Sequence, residues 1–124
     1  MILQSFSKIN LSLNVFKRLK KKRFHEIDSY FCLISLSDTI RIKRINTKKD
    51  QIQFKGAFSN LISRTNNSII DTLNILRKKK IIYNFYSILI EKKIPVFSGL
   101  GGGTSNSASL IKYFIKKKMN KELL

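Results

Sequence analysis

Apolar and polar residues alternate strictly near the start of the chain, which predicts a first β-strand over residues 3–16. The apolar positions of the alternation are Ile9, Leu11, Leu13 and Val15. The polar positions between and beside them are Lys8, Asn10, Ser12 and Asn14. Because successive side chains of a strand point to opposite faces, we expect Lys8 and Asn10 on one face, about 6–7 Å apart.

Shorter apolar and β-branched runs predict further strands in the first half of the chain. Residues 24–34 predict a second strand, and residues 35–38 predict a turn after it. Isoleucines among basic residues predict a third strand over 40–45, and a short run over 52–54 predicts a fourth. Residues 46–50 are expected to be a hairpin loop between these two, so an antiparallel sheet is predicted.

The apolar spacing becomes helical after residue 67. Ser68, with Asp71 three residues later, predicts a helix start of the capping-box kind. The apolar positions of this helix are Ile69, Ile70, Leu73 and Leu76. Residues 83–90 predict a last strand, and a second helix is expected from Thr104. Its predicted apolar stripe is Ala108, Ile111 and Ile115. The elements together predict an α+β fold in a single domain.

Charge narrows the choice of partners. The 124 residues include 25 Lys and Arg against 7 Asp and Glu, a formal net charge of +18. Such an excess favours anionic ligands such as phosphate esters, nucleotides or nucleic acid. The basic runs at 20–23, 78–80 and 116–118 are interpreted as solvated edges of the fold.

The single cysteine, Cys32, rules out an internal disulfide and favours a reduced, cytoplasmic setting. Its apolar neighbours Phe31 and Leu33 predict a buried, unreactive thiol. No uninterrupted apolar run approaches the ~18 residues of a membrane-spanning helix, so no membrane partner is expected. The alternation over residues 9–15 indicates a strand of the mature fold rather than a targeting segment.

A glycine-rich loop carries the clearest chemical signal. Four of the five glycines lie between residues 99 and 103, between the last predicted strand and the second predicted helix. Backbone N–H groups of such a loop, together with a helix N-terminus, form a site for an anion. The loop is not a Walker A motif, because no lysine precedes Thr104, and it lacks the final glycine of the dinucleotide-binding fingerprint.

The segment from Pro95 to Ala108, PVFSGLGGGTSNSA, resembles the phosphate loop of the GHMP kinase family, in the long form of its methylerythritol-pathway branch. Two further segments agree in order and position. Residues 7–11, SKINL, resemble the family's opening A-K-I-N-L, and residues 24–27, FHEI, resemble its G-Y-H-E-I. Asn66 and Asn67 lie where the family has D-N-L, and the resemblance spans residues 5–108.

The resemblance implies a domain of the ribosomal-protein-S5-like type, with a mainly antiparallel sheet and packed helices, that binds ATP and Mg²⁺. It implies that Thr104 or Ser105 helps to hold the magnesium ion. The residues that it places at the nucleotide are Asn67, Pro95, Val96, Phe97, Ser98, Gly99, Leu100, Gly101, Gly102, Gly103, Thr104, Ser105 and Asn106.

The resemblance also implies an acceptor, the 2-hydroxyl of 4-diphosphocytidyl-2-C-methyl-D-erythritol, in isoprenoid precursor biosynthesis. Lys8 matches a catalytic lysine beside the reacting hydroxyl, and Asn10 a hydrogen-bonding residue of the same region. His25 matches the residue that hydrogen-bonds the cytosine, and Phe24 replaces a tyrosine that stacks on it. Thr104 for serine and Ser107 for alanine are smaller departures.

The largest departure is the family's catalytic aspartate, which lies in a G-A-D-V-P-like segment after the phosphate loop. None of the seven acidic residues matches that segment, so we expect a truncated N-terminal domain that is inactive in isolation. A polypeptide carrying a C-terminal half is then a candidate partner. Two alternatives stay open: a non-catalytic nucleotide-binding fragment, and a basic nucleic-acid-binding module. The aromatic residues of that module would be Phe24, Tyr30, Phe31 and Phe54.

Overall fold

Two long antiparallel strands open the computed structural model, which describes residues 1–18, 25–96 and 99–123. β1 spans Ile2–Arg18 and β2 spans His25–Ile45. Their register runs from Ile2 opposite Arg41 to Arg18 opposite His25. The first predicted strand is therefore confirmed. Lys8 and Asn10 lie opposite Leu33 and Phe31 without a register shift between them, so they share a face.

The turn predicted at residues 35–38 is wrong, because β2 continues through this segment. The pairing shifts there: Phe6 lies opposite Ser37, whereas the next residue, Ser7, lies opposite Ile34. The two extra residues of β2 form an irregularity of the bulge kind. Ser7 Oγ donates a hydrogen bond of 2.7 Å to the carbonyl of Leu36. The second and third predicted strands are thus one strand.

β4, Phe85–Glu91, lies between β2 and β3, Gln51–Lys55, so the sheet order is β1-β2-β4-β3. β4 pairs antiparallel with β2 and parallel with β3. The hairpin predicted around residues 46–50 is therefore wrong, since the strands on either side of that loop are not neighbours. A parallel pair needs a long crossover connection, and the segment between β3 and β4 contains a helix.

Two helices pack on the sheet and close the core. α1 spans Ser68–Lys78 and α2 spans Gly102–Glu122. In β4 every second residue is buried, which is the pattern of a strand that is covered on one face. The buried core comprises Ile40, Ile42, Ile69, Leu73, Leu76, Ile82, Tyr86, Ile88, Ile90, Leu110 and Phe114. The prediction of an α+β fold with a mainly antiparallel sheet is confirmed.

The stripe predicted for α2 is wrong. Ala108 is exposed, and Ile111 and Ile115 are 39% and 38% exposed. The buried residues of α2 recur every fourth position: Gly102, Asn106, Leu110 and Phe114. The first turns of the helix thus bury a glycine and an amide instead of apolar side chains. The buried face of α2 therefore cannot be recognised from the spacing of apolar residues alone.

The β1–β2 hairpin exposes apolar side chains from the pair Lys8–Leu33 towards Arg18 and His25. They are Ile9, Leu11, Val15, Ile27, Tyr30, Phe31 and Leu33, which are 41–70% exposed. Cys32, opposite Ile9, is exposed too, so the prediction of a buried thiol is wrong. The alternation that predicted β1 correctly therefore did not predict its burial. No helix in the described ranges has the length and apolar character needed to cross a membrane.

Candidate functional site

A cleft of about 560 Å³ lies where the N-termini of both helices meet the glycine loop. This volume is within the usual range for small-molecule sites. The cleft is lined by Phe54, Leu61, Ile62, Ser63, Asn66, Asn67, Ser68, Ile69, Lys92, Pro95, Val96, Gly99, Gly101, Gly102, Gly103, Thr104 and Asn106. Its wall is apolar on the side of β3 and polar at the two helix ends.

The backbone of the loop requires glycine at Gly101. Its φ of 70° is left-handed, and it is the N-cap of α2 without a side-chain hydrogen bond. A Cβ atom there would lie 2.8 Å from Cε of Lys8. The first N–H groups of α2 have no partner within the helix, so the helix N-terminus has a partial positive charge beside the cleft. This arrangement suits a bound phosphate.

Asn106 supplies an independent sign of a ligand. Its side chain is 2% exposed, lines the cleft, and carries an Oδ1 atom that has no hydrogen-bond partner within the described part of the chain. Buried polar atoms are nearly always hydrogen-bonded. A donor supplied by a ligand or its water would satisfy this oxygen.

β1 holds the loop and the start of α2 in place. The backbone N–H of Lys8 donates to the carbonyl of Leu100 at 2.9 Å. Ser105 Oγ donates to the carbonyl of Phe6 at 2.6 Å and accepts from Ser5 Oγ at 2.9 Å. The first strand and the glycine loop, which lie far apart in sequence, therefore form one unit.

Lys8 is half-buried and its side chain runs beside Gly101. Its Nζ atom lies 5.7 Å from the centre of the Phe31 ring. The structure thus brings Lys8 to the loop. Asn10 lies farther out on the hairpin, where its exposed side chain accepts a 3.5 Å hydrogen bond from Ser29 Oγ. Asn10 does not line the cleft.

Asn67 lines the cleft and also caps α1. Its Oδ1 accepts hydrogen bonds of 3.1 Å from the N–H groups of Ile69 and Ile70. Its Nδ2 donates to the carbonyl of Ser63 at 2.9 Å. The helix was predicted correctly but its cap was not: Ser68 is the first helical residue, and Asn67 is the N-cap.

The remaining predicted residues divide into two groups. Thr104 is exposed and lines the cleft, and Pro95 and Val96 are half-buried in its wall. Phe24, Phe97 and Ser98 lie outside the described residues, as does the side chain of His25.

Sequence reasoning missed two charged residues beneath the loop, Asp38 and Lys92. Their side chains are 0% and 4% exposed and form an ion pair at 2.5 Å. A signal for Lys92 was present, because it continues the alternation of buried residues along β4. That alternation is Tyr86, Ile88, Ile90, Lys92 and Ile94. The apolar wall at Phe54, Leu61 and Ile62 was missed as well.

Carboxylates are missing from the cleft lining. All seven acidic residues lie in the described ranges, and none of them lines the cleft. No cluster of three or more His, Cys, Asp or Glu that could hold a metal occurs within residues 1–18, 25–96 and 99–123. The oxygen donors at the site are hydroxyls and amides, which are suited to polar contacts and not to proton abstraction.

Comparison with known proteins gives concordant results. Residues 60–123 match the family model of the GHMP kinases N terminal domain. The chain is 44% identical over 120 residues to the 4-diphosphocytidyl-2-C-methyl-D-erythritol kinase of Pelagibacter ubique, covering 96% of this chain and 42% of that enzyme. It is 35% identical over 124 residues to the enzyme of the same name from Ureaplasma parvum, covering 99% and 46%.

A solved structure agrees with this likeness. The crystal structure of a 4-(cytidine 5'-diphospho)-2C-methyl-D-erythritol kinase superposes with a TM-score of 0.66 and 26% identity. The match covers 91% of this chain and 39% of that one. The chain thus spans less than half the length of these relatives.

Proposed function

The chain belongs to the GHMP kinase family, and we propose that its glycine loop binds the triphosphate of ATP. The observation that carries this proposal is the meeting of Gly101 in a left-handed conformation, the N-terminus of α2 and the unpaired Oδ1 of Asn106 in one cleft. The loop amides hold anionic oxygens, and the oxygen of Asn106 accepts from a donor group or its water.

The phosphate acceptor that we propose is the 2-hydroxyl of 4-diphosphocytidyl-2-C-methyl-D-erythritol, a step towards isoprenoid precursors. The proposal is supported by relatives whose names state this kinase activity. Lys8 would lie beside the reacting hydroxyl, where an ammonium group offsets developing negative charge. Asn10, Phe24 and His25 would contact the cytidyl substrate. We assign the reaction to the cytoplasm.

The hydroxyl and amide oxygens of the cleft suit Mg²⁺ only if phosphate oxygens supply its other ligands. Mg²⁺ is commonly held by one or two protein oxygens together with phosphate oxygens and water. Thr104, with an exposed hydroxyl at the start of α2, would be one such ligand; Ser105 already contacts Phe6 and Ser5. When bound, the ion would neutralise phosphate charge.

The proposed chemistry needs a general base that the cleft lining does not include. We propose that further sequence, corresponding to the remaining length of the relatives, supplies this base and the rest of the acceptor site. That sequence would belong to the same protein or to a second polypeptide. Within this division of roles, the present domain binds ATP and positions its terminal phosphate near Lys8.

Two neighbouring glycines provide the test of ATP binding. A Cβ atom on Gly103 would meet only Ser68 Oγ, at 3.8 Å, so Gly103→Ala leaves the protein unstrained. A Cβ atom on Gly102 would lie 2.9 Å from Cγ2 of Ile94, so Gly102→Val forces the protein itself to shift. ATP titrations by calorimetry with Mg²⁺, beside thermal melts, separate the two effects.

We expect Gly103→Ala to weaken ATP binding about tenfold, because the added methyl meets the phosphates. Its melting temperature should stay the same or rise, since alanine favours a helix more than glycine does. Gly102→Val should lose both binding and stability. Equal ATP affinity of the wild type and Gly103→Ala, or no binding by the folded wild type, would refute the proposed nucleotide site.

A further inference from the structure

A buried ion pair lies directly beneath the glycine loop. Lys92 Nζ donates to Asp38 Oδ2 at 2.5 Å, and their side chains are 4% and 0% exposed. Removing two charges from water is costly, and a buried pair often stabilises a protein no more than apolar residues of the same volume. The position of this pair therefore points to a role other than stability.

Asp38 controls the path of the chain into the loop. Its second carboxylate oxygen, Oδ1, accepts hydrogen bonds from the backbone N–H groups of Lys93 at 2.7 Å and Ile94 at 2.9 Å. These two residues follow the end of β4 and precede the loop. A side chain of β2 thus fixes the backbone where β4 ends.

Lys92 is packed between two glycines. A Cβ atom on Gly56 would lie 2.5 Å from the Lys92 carbonyl oxygen, and the N–H of Lys92 donates to the carbonyl of Lys55 at 2.8 Å. A Cβ atom on Gly102 would lie 3.3 Å from Lys92 Nζ and 2.9 Å from Ile94. Lys92 and Ile94 therefore pack closely against Gly102, the first residue of α2, and leave no room for a side chain there.

We propose that Asp38 and Lys92 are positioning residues that set the place of Gly102, and with it the N-terminus of α2, for binding a phosphate. The pair acts through the protein, since Asp38 holds the end of β4 and Lys92 supports the loop from below. The identity of the anion as ATP rests on the proposed function, whereas the positioning of Gly102 does not.

The chain contains a matched control pair. Arg77 Nη2 donates to both carboxylate oxygens of Asp50, at 3.0 and 2.8 Å, and Asp50 also accepts from the N–H of Tyr86 at 2.9 Å. This pair joins α1 to the start of β4, and neither of its members lines the cleft. Like Asp38, Asp50 combines a basic partner with a backbone N–H donor.

The test compares Lys92→Met and Asp38→Asn with Arg77→Met and Asp50→Asn in the 124-residue chain. The measurements are thermal stability, the amide signals of ¹⁵N-glycine-labelled protein, and ATP affinity with Mg²⁺. The five glycines give few signals, and four of them report on the loop. Asp38→Asn keeps an amide oxygen that can accept from Lys93 and Ile94, so it provides the readout if Lys92→Met does not fold.

We expect all four variants to melt at lower temperature than the wild type. Only Lys92→Met and Asp38→Asn should shift the signals of Gly101, Gly102 and Gly103 without ligand and weaken ATP binding, by about tenfold for Lys92→Met. Lys92→Met should weaken binding more than Asp38→Asn does, because it leaves a buried carboxylate beneath the anion.

The outcomes separate the two proposals. Loop signals that match those of the control variants would refute the positioning role, and so would ATP affinity equal to that of the controls. Shifted loop signals in a protein whose wild type binds no ATP would support the positioning role and refute the ATP assignment. ATP binding by the wild type, together with unshifted loop signals in Lys92→Met, would support the ATP assignment and refute the positioning role.

Discussion

Two asparagines of the cleft use their side-chain oxygens differently. Oδ1 of Asn67 accepts hydrogen bonds from Ile69 and Ile70, and so belongs to the framework of α1. Oδ1 of Asn106 is buried and has no partner in the described ranges. The first oxygen is occupied by the fold, whereas the second is available to a ligand.

Replacing Asn67 by alanine should lower the free energy of unfolding by about 1 kcal/mol, because two N–H groups at the start of α1 lose their acceptor. Urea denaturation followed by circular dichroism measures the change. Asn67→Ser should recover most of the loss, since serine also caps helices well. Asn66→Ala is the control, with an expected change within about 0.5 kcal/mol. An effect of Asn66→Ala as large as that of Asn67→Ala would contradict the capping role.

At the residue scale, site residues that belong to sequence motifs could be predicted. Residues whose place in the site depends on tertiary contacts could not. Lys8 was assigned to the site by resemblance, and the structure places it against Gly101. Lys92 was not singled out from the sequence, because a lysine is seldom buried. Its burial depends on Asp38, which is distant in sequence and reaches it only because β2 pairs with β4.

At the scale of elements, α1 ends in an unusual way. Lys80 has a φ of 58°, and its N–H donates to the carbonyl of Arg77, while the N–H of Ile81 donates to the carbonyl of Leu76. This is the Schellman pattern of hydrogen bonds, in which glycine usually takes the left-handed position. A lysine there leaves α1 with a strained end.

Lys80→Gly should therefore raise the free energy of unfolding by about 0.5–1 kcal/mol, because glycine adopts a positive φ without a steric penalty. Lys79→Gly should lower it by a similar amount, since the φ of Lys79 is −81° and glycine there only adds disorder to the unfolded chain. Both variants remove one positive charge, so charge does not account for a difference. Thermal and urea denaturation measure both, and equal signs would contradict the assignment of strain.

Elements were predicted better than their pairing. The helices and most strands follow from local periodicity, but the irregular pairing at residues 35–36 does not, because β1 accommodates it. Likewise, residues 46–50 have the composition of a hairpin loop, yet β4 occupies the place beside β2. Strand order depends on which apolar faces fit against α1 and α2, and local sequence does not encode this.

At the scale of the whole molecule, two features support the proposal that the site continues in further sequence. The β1–β2 hairpin exposes apolar side chains such as Leu11, Tyr30 and Leu33. Large exposed apolar surfaces commonly mark interaction sites. The cleft has no lining carboxylate, although the proposed reaction needs a base. The curated relatives are more than twice as long as the matched region.

We predict that the 124-residue chain binds ATP but does not measurably phosphorylate the methylerythritol substrate, because loss of a general base alone costs about 10²–10⁴-fold. Fusion to the C-terminal part of the Pelagibacter ubique relative should produce turnover. In the fusion, Lys8→Ala should lower kcat about 10²–10³-fold, and His25→Ala should mainly raise KM for the cytidyl substrate. A coupled ADP-release assay measures each variant.

Lys43→Ala is the control for these variants, since Lys43 is an exposed lysine of β2 that does not line the cleft. Its kinetics should equal those of the unmodified fusion. Turnover by the 124-residue chain would show that one of its own residues acts as the base. Unchanged kcat in Lys8→Ala would remove β1 from the proposed mechanism.

The place of β4 between β2 and β3 has a consequence for synthesis on the ribosome. β1 and β2 can pair as soon as both have emerged, but β3 has no sheet neighbour until β4 follows it. At ordinary translation speeds the delay between Lys55 and Phe85 is roughly a few seconds. During this interval Ile52 and Phe54 have no strand to pair with. The cleft needs the end of β4 and the start of α2, so it forms last. A nascent chain stalled before β4 would contain the β1–β2 hairpin without the proposed nucleotide site.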